Sequence, residues 1–68
     1  MNNDLKLLIK INPQDIAFLD KIFEAYDGLA IVSTLNRKEG LVVLTVTPET
    51  KKDVIEILNN FPRELFFV

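Results

Sequence analysis

Carboxylates are this sequence's candidates for acid–base chemistry, and two pairs of them sit one helical turn apart. Asp20 with Glu24, and Asp53 with Glu56, have the spacing that brings two side chains to one helix face. Nothing else in the chain supports such a dyad. There is no histidine and no cysteine, which removes the imidazole base, the thiolate nucleophile and the His–Cys zinc site. Ser33 is the one serine, and no histidine exists to activate it. Gly28 and Gly40 stand alone, each with a turn to explain it, so there is no phosphate loop. The carboxylate pairs read as solvated helix faces. The expectation is a non-enzymatic protein with no cofactor and no metal.

The cations give a second set of candidates. Lys6 and Lys10 alternate with Leu8 along one apolar run, and Arg37-Lys38 form an adjacent basic pair in a polar turn. Ten Asp and Glu against eight Lys and Arg make the chain mildly acidic. A nucleic-acid binder ordinarily shows the opposite balance, because binding depends on displacing phosphate counterions. Weak nucleic-acid contact through Lys6 and Lys10 stands as a third reading, and the Arg37-Lys38 pair reads as a solvated turn.

The elements that position these groups follow from periodicity. Leu5, Leu7, Ile9 and Ile11 alternate with Lys6, Leu8 and Lys10, the period of a strand over 5–11. Asn12 then suits an N-cap, Pro13 the first helical position, and Asp15 the first turn. Ile16, Leu19, Ile22, Phe23 and Tyr26 form a stripe at helical spacing with Phe18 at its margin, and Gly28 is the expected stop. Runs 29–35 and 41–47 read as paired strands joined by the polar Asn36–Gly40 hairpin. Thr47-Pro48-Glu49 repeats the Asn12-Pro13-Gln14 signal and opens a second helix, buried through Val54, Ile57, Leu58 and Phe61. Asn59 and Asn60 end it before Pro62, and a last short strand covers 64–68.

The order is β-α-β-β-α-β. It predicts a ferredoxin-like α+β sandwich in one domain over 1–68, with a four-stranded antiparallel sheet and both helices on one face. The first and third strands should lie in the centre. If Leu35 pairs with Val42, then Leu29, Ile31, Ser33 and Leu35 face the helices with Val42, Leu44 and Val46. Ser33 is then a small core residue. The bare face receives Lys6, Leu8 and Lys10, Leu41, Val43 and Thr45, Ala30, Val32 and Thr34, and Phe66. Leu8, Val32, Val43 and Phe66 are the candidate interface, with Leu41 extending the patch. The uncharged 65–68 run makes the final edge strand a second adhesive element.

This topology also serves RNA recognition and copper delivery. RNA-recognition domains stack bases on aromatics of the two central strands, and runs 5–11 and 41–47 contain none. The copper-carrying version needs a Cys-x-x-Cys pair where this chain has Asn12-Pro13-Gln14-Asp15. The N-terminus Met1-Asn2-Asn3-Asp4 lacks the cationic region of a signal peptide, and no apolar run approaches the roughly 20 residues of a membrane span. A cytoplasmic protein is the expectation. With 49% hydrophobic residues in 68, the chain has more apolar surface than one small core hides, which favours a homodimer or another protein partner.

The element order, together with Asp27-Gly28-Leu29-Ala30-Ile31-Val32-Ser33-Thr34-Leu35 after the first helix, resembles the ACT domain. The chain is also similar to small stand-alone ACT-like proteins of anaerobic and thermophilic bacteria. The resemblance implies a dimeric regulatory domain that binds an amino acid or related small molecule. It places Asn12, Gln14 and Asp15 near that ligand, in a loop where the family typically carries an acidic residue and a glycine. Two readings therefore lead: an interaction or regulatory module that self-associates through its open sheet face or an edge strand, and an ACT-like small-molecule sensor.

Overall fold

A computed structural model describes residues 3–68; Met1 and Asn2, part of the N-terminal segment read above, lie outside the described residues. The elements are β1 (Leu5–Ile11), a 3-10 turn (Pro13–Asp15) running into α1 (Ile16–Ala25), β2 (Ile31–Asn36), β3 (Leu41–Val46), α2 (Pro48–Asn59) and β4 (Leu65–Phe67). The strands form one antiparallel sheet in the order β2-β3-β1-β4. This is the expected ferredoxin-like α+β arrangement, with β1 and β3 central.

A short polar side chain satisfies free backbone donors at the start of the 3-10 turn and of α2, whereas Asp15, the residue before α1, makes no side-chain cap bond. Asn12 accepts from the Gln14 N–H at 3.2 Å and opens the 3-10 turn. Thr47 makes a capping box with Thr50: its hydroxyl accepts from the Thr50 N–H at 3.2 Å, while its own N–H donates to the Thr50 hydroxyl at 3.0 Å. Asn60 ends α2, donating from its side-chain amide to the Glu56 carbonyl at 2.9 Å. The first helix stops at Ala25, before the turn in which Gly28 adopts φ 80°.

The core lies between sheet and helices. Ile9, Ile11, Val42, Leu44 and Val46 meet Ile16, Leu19 and Phe23 of α1 and Val54 and Leu58 of α2, all buried. β1 and β3 alternate as their sequence predicts.

The register of β2 departs from the expectation. Asn36 pairs with Leu41, which would place Leu35 opposite Val42, but Thr34 takes that position and Leu35 is the extra residue of a bulge. The paired residues Ile31–Thr34 before the bulge therefore turn over, while Leu29, ahead of the strand, still packs against the core as expected. Val32 pairs with Leu44 and packs against the core, with Ala30, whereas Ile31 pairs with Thr45 and is 67% exposed. Ser33 pairs with Val43 on the open face and is exposed, so it is not a core residue. The bulge leaves the one serine hydroxyl in water, where the regular register would have buried it opposite Leu44.

Candidate functional site

The helix-free face of the sheet is built from cross-strand rows. The middle row sets Leu8 of β1 opposite Val43 of β3, which is opposite Ser33 of β2. The row on one side joins Ile31, Thr45 and Lys6, and the Lys6 ammonium donates to the Thr45 hydroxyl at 2.9 Å. The row on the other side joins Leu41, Lys10 and Phe66, the last 58% exposed. Val68 extends the edge, donating its N–H to the Leu8 carbonyl at 2.9 Å. Among the described residues no strand contains an acidic side chain, so this face combines apolar side chains and the Ser33 and Thr45 hydroxyls with two ammonium groups.

Three of the four proposed interface residues, Leu8, Val43 and Phe66, share this face. Val32 does not; the bulge directs it to the helix side, and Ile31 takes its place. The pattern of the strand gives no signal for this, because either phase turns a hydroxyl inward, Ser33 in one and Thr34 in the other.

The loop residues Asn12, Gln14 and Asp15 are not gathered into one site. The Asn12 side chain caps the 3-10 turn, and Gln14 is exposed. Asp15 is largely buried and accepts from the Arg63 Nε at 3.3 Å, across to the segment before β4. Asn12 borders a cavity of about 270 Å³, together with Lys10, Pro13, Glu39, Glu64 and Phe66, whose lining does not include Gln14 or Asp15.

A second concavity lies between the helices. Phe18, near the start of α1, meets Phe61, just past the end of α2, with ring centroids 5.4 Å apart and planes inclined by 37°. Beyond that contact the helices leave a groove of about 550 Å³ whose lining includes Ile22, Tyr26, Leu29, Ile57 and Phe61, with Asp53 and Glu56 along the α2 side. The pairing of Asp53 with Glu56 is thus a groove edge. Among the described residues, no group of three or more acidic side chains could hold a metal ion, and no helix is long and apolar enough to cross a membrane.

Residues 9–65 match a family described as a domain of unknown function, DUF4911. No curated protein and no solved structure matches the chain.

Proposed function

The chain belongs to the DUF4911 family, and we propose that it is a non-enzymatic interaction module that self-associates through its open sheet face. The carrying observation is the Leu8–Val43 pair at the centre of that face, flanked by Leu41, Phe66 and Ile31. Three strands of six or seven residues and a three-residue β4, at about 3.3 Å per residue and about 4.8 Å apart, give a face roughly 20 Å long and about 15–20 Å across that is shorter along its β4 edge. A second copy of the same sheet covers a face of that size completely. Lys6 and Lys10 stay compatible with this contact because their stems can lie along apolar surface while the ammonium groups reach the rim. An isologous pair of this kind closes at two chains and does not propagate.

Sedimentation equilibrium over a wide concentration range tests the reading. The wild-type chain is expected to form a dimer, and Val43→Asp to give a folded monomer by circular dichroism. A wild-type monomer at the highest concentrations, or an unchanged mass for Val43→Asp, would overturn it.

A second reading, the ACT-like small-molecule sensor, is favoured by the cavity beside Asn12. Its position between β1 and the β4 edge would let a ligand touch both Lys10 and Glu64. A ligand that binds only the folded state raises the melting temperature saturably. A panel of amino acids and related metabolites that produces no such shift retires this reading.

A further inference from the structure

We infer that the groove between α1 and α2 is a binding site for a small organic cation with an apolar body. α1 carries two apolar stripes. Ile16, Leu19 and Phe23 point into the core, while Phe18, Ile22 and Tyr26, at successive four-residue steps, face sideways toward α2. Phe61, which lines the groove, also packs against Phe18 of α1. Within the groove Ile22, Leu29 and Ile57 remain half-buried, and Tyr26 is 47% exposed. Its volume of about 550 Å³ falls within the roughly 300–1,000 Å³ of small-molecule sites.

The charge of the ligand follows from the walls. Asp53 and Glu56 stand one turn apart on α2, and no Lys or Arg lines the groove. Neither carboxylate lies within ion-pairing distance of a cationic side chain among the described residues. An ammonium group placed between them gains both charges, while its apolar body covers Ile22 and Ile57. The Tyr26 ring adds an aromatic face of the kind that attracts cations. An anionic ligand of identical shape meets two like charges and is rejected. The groove lies on the helix side and does not depend on the open-face reading.

The test titrates ¹⁵N-labelled protein with tryptamine and, separately, with indole-3-propionate, which share a ring and differ in charge. Tryptamine is expected to shift the amide signals of Ile22, Leu29, Ile57 and Phe61 saturably, and indole-3-propionate to leave them nearly unmoved. The isosteric double variant Asp53→Asn, Glu56→Gln should weaken tryptamine binding roughly three- to tenfold, as expected for two partly solvated charge contacts. Should that variant lose its fold, raising salt on the wild type from about 20 to about 500 mM gives the same readout, because screening weakens a charge-selected site. Absence of saturation, equal responses to the two compounds, shifts confined to the sheet face, or an affinity indifferent to both variant and salt would overturn the assignment.

Discussion

Ile11 and Gly40 approach so closely that no side chain fits between them. The Ile11 N–H donates to the Gly40 carbonyl at 2.9 Å, and a Cβ built on Gly40 would overlap the Ile11 carbonyl oxygen. Gly40 also has φ 70°, in the left-handed region. The residue that ends the hairpin thus also locks the end of β1, just before the Asn12 cap.

This contrast makes the two glycines separable. Gly28 shares the positive φ, at 80°, but a Cβ there meets open space. Gly28→Ala should cost about 1–2 kcal/mol for the left-handed backbone alone. Gly40→Ala should cost about 3 kcal/mol or more, adding the displaced strand and its hydrogen bond. Urea unfolding of the two variants measures the difference, and equal costs would contradict the Ile11–Gly40 packing.

The β2 bulge yields a second test. Val32→Asp places a carboxylate against the core and should destabilise by about 2 kcal/mol or more, whereas Ile31→Asp on the open face should cost under about 1 kcal/mol. Both belong in a Val43→Asp background, so that self-association contributes nothing to the measured stability. Without the bulge the order of the two would reverse.

Asp15 and Arg63 should behave asymmetrically. Arg63 is half-exposed and Asp15 largely buried, so Arg63→Ala leaves a carboxylate out of water without its partner. A loss of about 1 kcal/mol is expected. In an Asp15→Asn background the same substitution should cost little, giving a coupling of about 0.5–1 kcal/mol in a double-mutant cycle. Additive effects would mean that the pair contributes no net stability.

The two helix starts carry unequal weight. Thr47→Ala removes a reciprocal cap from the twelve-residue α2 and should cost about 1 kcal/mol. Asn12→Ala removes one bond from a three-residue 3-10 turn and should cost less. Far-ultraviolet circular dichroism during thermal melting compares them, and a larger loss at Asn12 would refute this ranking.

The order of the elements, their approximate ends and the central position of β1 and β3 were all legible in the residues. These rest on local causes: alternation in 5–11, helical stripes in 16–26 and 54–61, and X-Pro caps at Asn12 and Thr47. The residues also placed Leu8, Val43 and Phe66 on one face, because β1, β3 and β4 pair without interruption. The phase of β2, by contrast, was settled by its pairing with β3. The two faces of β2 are comparably apolar, Ile31 and Leu35 against Ala30 and Val32, so a single extra residue at Leu35 inverts them. The loop group divides for a similar reason: Asp15 finds Arg63 forty-eight residues away, a pairing that no local pattern encodes. The interhelical groove is likewise a product of packing. Each helix announces its own apolar stripes, but where the two segments touch, as at Phe18–Phe61, and where they leave space follow from how they pack on the sheet.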